Sequence, residues 1–355
     1  MLEPGAIIGI LGGGQLGRMT AIAAARLGYR THIYTTEADS PGAQVTPLVT
    51  VAGLDDAEAL TRFAQSVDVV TYETENIPID ALDFILPYVA VHPGQSVLSI
   101  AQDRLREKDY LREIHVETAA YREVASAAAL SRAVHDLGGR AVLKTVRMGY
   151  DGKGQVMIKP DTEIDGAWAA LGADLGILEA FVDYRCEISV VVIRAESGAI
   201  ANYPPVENQH VNHILDTTIA PARIQPELAM RAEAIARHIA EKLGVIGVLA
   251  VEMFVTQDDR ILVNELAPRP HNSGHWTMDA CHASQFEQLV RAICGLPLGS
   301  TDNHADAIMK NIIGPDIERW RELLSDPMTK LHLYGKREAP PGRKMGHATR
   351  LLPRR

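Results

Sequence analysis

Cysteine, positive charge and long apolar runs are all scarce in this sequence, and each scarcity removes a class of protein. The 355 residues hold three cysteines. Cys186, Cys281 and Cys294 form no CxxC pair and leave one over in any pairing. That pattern argues against a disulfide framework or a zinc site and for reduced thiols in a cytoplasm. Acidic residues outnumber basic ones, 45 to 35, for a formal net charge of -10, whereas a general nucleic-acid binder needs the opposite balance. A small anionic ligand remains compatible, because it asks only for a local cationic pocket. No apolar run reaches membrane-spanning length, and the opening MLEPGAIIGILGGG lacks the basic region of a signal peptide. There is no internal repeat, no low-complexity tract and no convincing Ser/His/Asp or cysteine nucleophile. The expectation is a cytoplasmic protein that engages neither membrane nor nucleic acid.

What is present is ordinary globular material, 46% hydrophobic and 23% charged, in a chain long enough for two or three compact units. Residues 6–11 are a continuous apolar run ending in glycines, and 16–27 have helical periodicity that stops at Gly28. Strands are predicted over 31–35, 48–51 and 67–72, with helices over 55–65 and 79–86. This βαβ rhythm implies a mostly parallel, twisted sheet with helices on both faces. Residues 94–117 read as helical and charged, a connection to a second unit. There, strands over 119–124 and 141–145 flank an Ala-rich helix over 126–137. A glycine-rich segment follows, then strands near 177–182 and 187–194, a polar stretch over 202–216 and a helix over 226–243. After Pro297 come candidate strands over 308–312, 331–334 and 347–351. The fold class is thus α/β and α+β. Its predicted units are a Rossmann-like domain over 1–100, a central nucleotide domain over 101–297 with a small flap subdomain over about 118–182, and an α+β cap over 298–355.

Residues 248–275, VLAVEMFVTQDDRILVNELAPRPHNSGH, carry the strongest chemical signal. Two apolar strands joined by Gln257-Asp258-Asp259 each hold one carboxylate, Glu252 and Glu265. An ionised carboxylate among Val, Leu, Ala, Met and Phe costs several kcal/mol (roughly) unless a counter-charge meets it, and two facing each other raise each other's pKa. A divalent cation resolves both problems, and the Glu and Asn oxygens suit Mg²⁺, which completes its shell with water and phosphates. Arg269, His271 and His275 around Asn272-Ser273-Gly274 then suit an anion.

Other motifs leave alternatives open. Gly12-Gly13-Gly14-Gln15-Leu16-Gly17 fits GxGxxG between a strand and a helix, and Glu37 falls roughly 20 residues on, where a dinucleotide-binding acid would lie. Any strand-turn-helix that binds a phosphate shares that context, so a phosphate monoester or a bare tight turn ranks above NAD. Lys144, in AVLKT, is either a phosphate ligand or an edge lysine reaching water. GYDGKGQ, residues 149–155, is not a Walker A motif; it suits a glycine-rich flap over ATP, or else a surface hairpin. Glu179 and Glu187 flank two apolar strands and either confer solubility or accept from adenine and ribose. His210 sits alone in a polar stretch. Arg343-Lys344 is a cationic pair or a solvated basic turn.

GGGQLG, GYDGKGQ, VEMF followed by NELAPRPHNSGHWT, and PGRKMGH occur here in the order found in the N5-carboxyaminoimidazole ribonucleotide synthetases. Over nearly its whole length the sequence resembles that family of ATP-grasp ligases of bacterial and fungal purine biosynthesis. The resemblance implies an ATP-grasp fold with a Rossmann-like pre-ATP-grasp domain and a small C-terminal domain. It also implies a homodimer that carboxylates 5-aminoimidazole ribonucleotide with ATP and bicarbonate, through carboxyphosphate, releasing ADP and phosphate. Carried over by motif, Arg104 and Lys144 contact the nucleotide phosphates. Gly149, Tyr150, Asp151, Gly152, Lys153, Gly154 and Gln155 form the flap, with Asp151 also catalytic. Glu179, Ala180, Phe181 and Val182 bracket the adenine, and Glu187 takes the ribose with His210 nearby. Glu252 and Glu265 hold Mg²⁺ beside Asn264, Arg269 and His271 lie at the carboxyphosphate, and Arg343 and Lys344 reach the ribonucleotide, Lys344 as a catalytic group too. Gln15, Glu75, Asn272 and Ser273 fall on the substrate side. One departure is that the family usually continues into a further helix where this sequence ends in LLPRR. The competing readings are another ATP-grasp carboxylate–amine ligase such as a formate-dependent purine transformylase, a nicotinamide-dependent oxidoreductase, and a nucleotide sensor without turnover.

Overall fold

The computed structural model describes residues 1–149 and 154–354. Its N-terminal alternation gives a four-stranded parallel sheet, in the order Leu48–Val51, Arg30–Thr35, Ile7–Leu11, Val69–Tyr72. Parallel neighbours need crossovers, and the helices Gln15–Arg26 and Ala57–Ala64 supply two of them. The second starts under Asp56, whose side chain accepts from the N–H of Ala59. It buries Leu60 and Phe63 against Val70 and Tyr72 of the sheet.

A second four-stranded sheet, antiparallel, runs Tyr121–Val124, Gly176–Ala180, Ala141–Thr145, Gln155–Ile158. Leu143, Ile158 and Leu178 pack under the helices Ala127–Asp136 and Ile164–Leu171. The latter helix is not among the predicted elements. Gly166 weakens its intrinsic propensity, and the Glu163 side chain compensates by accepting from the N–H groups of Asp165 and Gly166.

The third sheet has nine antiparallel strands. Ile261–Ala267, Gly247–Thr256, Tyr184–Arg194, Val206–Val211, Ile214–Ala220, Asp306–Ile313, Lys344–Leu352 and Thr329–Leu333 follow one another, with Ile200–Asn202 added on Tyr184–Arg194. The stretch 202–216, read from sequence as merely polar, therefore supplies strands near the sheet's centre. Its polarity does not mean exposure, because Asn208 and Thr218 are buried and bonded to each other. The C-terminal strands do not form a sheet of their own. Thr217 pairs with Lys310 and Ala220 with Ala307, so they continue the central ladder. While the second sheet packs its own core, one core cluster joins the first sheet, the central sheet and the C-terminal strands, from Ile10 and Met19 through Val191, Val248 and Leu289 to Met309 and Tyr334. The helix Gln285–Ile293, also unpredicted, packs against Gln15–Arg26 and completes that core.

Candidate active site

The hairpin places its two carboxylates as its pattern requires. Glu252 pairs with Glu265 across Gly247–Thr256 and Ile261–Ala267, with a bulge immediately after Glu252. Directly opposed residues share a face of the sheet, and this pair opens on a cavity of about 1140 Å³ where all three regions meet. Glu252 Oε1 lies 2.9 Å from His271 Nε2, and Arg104 Nη1 donates to Glu265 Oε2 at 3.1 Å. Burial alone would raise the Glu252 carboxyl. The His271 contact and the charges of His210 and Arg269 outweigh it and hold Glu252 well below the usual carboxylate range. Beside them the buried Asn264 Oδ1 has no hydrogen-bond partner among the described residues. Two carboxylates and an unpartnered amide oxygen make a hard donor set of the kind Mg²⁺ takes. No group of three or more His, Cys, Asp or Glu among the described residues could hold a metal ion by itself.

On one side of this pair lies a buried charge network. Lys144 Nζ donates to Glu179 Oε2 at 2.6 Å, and Lys108 Nζ stands 3.7 Å from the other oxygen of Glu179. Burial opposes the Glu179 charge, but Lys108, Lys144 and Arg104 bring its pKa down to about 2. Lys108 also donates to the carbonyl of Asn264 at 2.6 Å, and Glu107 accepts from the N–H of Leu266 at 2.9 Å. Both thus brace the strand that carries Glu265, and burial pushes both toward their neutral forms. Sequence reading missed Glu107 and Lys108. The available signal was their spacing, three and four residues before the buried Leu111 on Arg104–Glu113, which puts them on its inward face.

Ala180, Phe181 and Val182 line the cavity beyond Glu179, with the Arg140 guanidinium 3.6 Å over the Phe181 ring. Glu187 accepts from Tyr184 Oη at 2.6 Å and lies 2.9 Å from His210 Nδ1. Burial would lower His210, yet the Glu187 hydrogen bond and the Glu187 and Glu252 charges raise it. His210 is therefore part of the cavity wall and not a stray loop residue. Gly149, whose carbonyl accepts from Arg104 at 3.2 Å, lines the same cavity with Gly154 and Gln155. Tyr150, Asp151, Gly152 and Lys153 lie outside the described residues.

The opposite side is cationic. Arg269 grips Glu75 through two nitrogens, one at 3.0 Å. Burial opposes the Glu75 charge, but Arg269 overrides it and brings the carboxyl to about 2. Neither side-chain polar atom of Asn272, which lines the cavity, has a partner among the described residues. Ser273 departs from the expectation of a substrate contact. Its side chain is fully buried, its hydroxyl lying 2.8 Å from His271 Nδ1 and 2.7 Å from Ser189 Oγ, so it stands behind the histidine. Gln15 and Lys344 line the main cavity. Arg343 instead lines an adjoining cavity of about 310 Å³ with Lys336, Glu37, Glu73 and the glycine turn. Burial, with Arg343 and Lys344 nearby, lowers the Lys336 pKa to about 8. A lone lysine in a basic tail gave no sequence signal.

The glycine turn holds an anion, and it is the chain's own. Gly17 N–H donates to Glu73 Oε2 at 2.8 Å, and Gly14 N–H donates to the other oxygen. A Cβ on Gly12 would fall 2.3 Å from the Glu73 side chain, so the glycine there serves close approach to a carboxylate. In a dinucleotide site the pyrophosphate occupies this helix start. Here Glu73 fills it, which removes the nicotinamide reading.

Comparison with known proteins matches three family models to successive parts of the chain. A family model described as the ATP-grasp domain matches residues 109–286. Another, the ribonucleotide synthetase preATP-grasp domain, matches 6–102, and a third, the phosphoribosylaminoimidazole carboxylase C-terminal domain, matches 307–354. The chain is 48% identical over 355 residues to the N5-carboxyaminoimidazole ribonucleotide synthase of Brucella melitensis, covering 99% of this chain and 98% of that one. It is 45% identical to the Bacillus subtilis enzyme of the same name, with 98% and 92% covered. A crystal structure of an N5-carboxyaminoimidazole ribonucleotide synthetase in its ADP complex matches with a TM-score of 0.97 at 45% identity, over 100% of this chain and 94% of that one. The Aspergillus clavatus enzyme in complex with ADP and 5-aminoimidazole ribonucleotide matches with a TM-score of 0.93 at 31% identity, over 99% and 94%.

Proposed function

Because the chain belongs to the N5-carboxyaminoimidazole ribonucleotide synthase family of ATP-grasp ligases, we propose the following account of how its own residues carry out the family's reaction. The protein is a carbon–nitrogen ligase of purine biosynthesis, converting 5-aminoimidazole ribonucleotide to its N5-carboxy derivative with ATP. Bicarbonate is the carbon source in this account, and phosphorylation by ATP gives carboxyphosphate. Phosphoryl transfer asks a protein for positioning and charge neutralisation more than covalent help. Arg104 and Lys144 hold the nucleotide phosphates, Ala180 to Val182 the adenine, and Glu187 with His210 the ribose. Glu252, Glu265 and Asn264 would hold Mg²⁺, which neutralises charge on the transferring group.

Arg269 and His271 orient the bicarbonate and its phosphorylated form, with the unpartnered Asn272 amide beside them. The substrate amine then attacks the carboxyl carbon, forming the C–N bond as the C–O bond to phosphate breaks; the departing phosphate takes the amine proton. Lys344, Arg343 and Gln15 position the ribonucleotide. Carboxyphosphate is short-lived in water, so the segment 149–155 serves to keep solvent out. Units over 1–100, 101–297 and 298–355, a homodimer and a cytoplasmic location complete the reading. Three unpaired cysteines support that location. No helix among the described residues is long and apolar enough to cross a membrane.

The observation that carries this account is the register of Glu252 against Glu265, in a cavity that also holds the Lys144–Glu179 pair and, without partners among the described residues, Asn264 Oδ1 and the Asn272 amide. ADP release from MgATP is the test, with bicarbonate and the ribonucleotide added separately and together. Release that needs both is expected. Release indifferent to either, or supported equally by formate, would overturn it.

A further inference from the structure

Behind His271 runs a row of buried polar side chains that the reaction as described leaves without a task. Ser273 and Thr218 are 0% exposed, Ser189 1% and Asn208 6%. They come from the turn Asn272–Gly274 and from three strands, Tyr184–Arg194, Val206–Val211 and Ile214–Ala220. An apolar set would fill a sheet interior with no hydrogen-bond requirement, whereas each buried polar group left unpaired costs about 1–3 kcal/mol. These groups are paired in sequence. Thr218 Oγ1 donates to Asn208 Oδ1 at 3.1 Å, and Asn208 Nδ2 donates to Ser189 Oγ at 2.9 Å. Ser189 Oγ donates to Ser273 Oγ at 2.7 Å, and Ser273 Oγ lies 2.8 Å from His271 Nδ1.

The row has a direction. Because Ser189 donates to Ser273, the Ser273 hydroxyl proton is not committed to Ser189 and is free to point at His271. The backbone N–H of Ser273 also points at Nδ1, at 3.4 Å. The backbone donor needs a lone pair on Nδ1, and the Ser273 hydroxyl can supply a second donor to it. The ring proton then sits on Nε2, the edge that meets the cavity-lining Glu252. A side chain's tautomer is set by the bond its other nitrogen makes.

We propose that Ser273, Ser189 and Asn208 are positioning residues that fix His271 in the Nε2–H tautomer, so that a donor and not a lone pair faces the anionic reactants. The proposal rests on the reading of His271 as a group at the carboxylation site. Bicarbonate and carboxyphosphate present acceptor oxygens; the opposite tautomer would turn a lone pair toward them. None of the three need touch a reacting atom, since each acts through the histidine.

The full chain labelled with ¹⁵N-histidine, at one fixed pH, reports the tautomer by long-range ¹H–¹⁵N correlation, with His271→Asn used to assign the signal. The unsubstituted protein should show His271 protonated on Nε2. Ser189→Ala should give a mixture of tautomers. Asn208→Asp keeps the shape and removes the donor to Ser189, and it should do the same. Both should lower kcat for ribonucleotide-dependent ADP release by about tenfold, with KM for ATP within about twofold of normal. An Nδ1–H tautomer in the unsubstituted protein overturns the proposal. So does an unchanged tautomer or an unchanged kcat in both variants, or a loss of melting temperature alone. If the unsubstituted chain fails to release ADP, the functional reading falls, while the spectrum still decides the tautomer.

Discussion

At the start of the helix Gln15–Arg26, the N–H groups of Gly14 and Gly17 meet a carboxylate from the same chain, Glu73. The carboxylates Glu252 and Glu265 instead meet side chains from the same chain, the His271 ring and the Arg104 guanidinium. The first arrangement is closed in its bonding, both oxygens of Glu73 being engaged by N–H groups although its side chain also lines the cavity. The second is open. It faces a large cavity, and Asn264 Oδ1 beside it finds no partner among the described residues. A local motif thus announces that a charge or dipole must be answered. Whether the answer comes from the chain or from a ligand depends on a residue far away in sequence.

Breaking the open side should have the largest effect. Glu265→Gln removes a carboxylate from the proposed metal site, and turnover should fall by about a hundredfold or more, the scale of losing a preorganised charge-stabilising group. Turnover close to normal at saturating Mg²⁺ would sink the assignment. Breaking the closed side should act on stability. Glu73→Gln turns an amide toward the N–H groups of the glycine turn and should cost about 2 kcal/mol, read as a lower melting temperature. NAD(P)H fluorescence should remain unchanged on mixing with either form.

Lys336 sharpens the comparison, because it bears on both Glu73 and the cationic pair Arg343–Lys344. With its pKa at about 8, it is charged below that pH and loses its charge above it. The kcat/KM for ribonucleotide should therefore fall as pH rises through about 8, by up to about tenfold per unit. Lys336→Arg, which stays charged, should flatten the decline. The smallest effect concerns Glu75, an intermediate case that lines the cavity yet is paired within the chain. Its pKa is depressed from 4.5 to about 2, so its pair with Arg269 adds stability that is complete above 4.5 and is lost as pH falls toward 2. Melting curves of the unsubstituted protein and Glu75→Gln should converge over that acid range. A constant gap would refute the linkage.

The sequence was most informative where the pattern is local. Two apolar runs joined by a polar turn, each with one carboxylate, implied two strands with Glu252 and Glu265 opposed, and the glycines after Leu11 implied a tight turn into a helix. It was least informative where the partner is remote. Nothing near Gly14 points to Glu73, and nothing near Ser273 points to Ser189, so one motif suggested a phosphate and the other a substrate contact. Polar strands were hidden for a related reason. Val206–Val211 and Ile214–Ala220 hold Asn208 and Thr218, which satisfy each other inside the sheet and so erase the alternation that betrays a half-buried strand.

The continuity of the central sheet into Asp306–Ile313 and Lys344–Leu352 limits how such a protein can diversify. The strand that bears Lys344 is hydrogen-bonded, through one neighbour, to the strands that form the cavity wall. Exchanging the last segment for that of another ligase would have to preserve the register of Thr217 on Lys310, or leave two bare sheet edges open to aggregation. On the role proposed for Lys344, a change of acceptor is more accessible through single side chains on Lys344–Leu352 than through a graft.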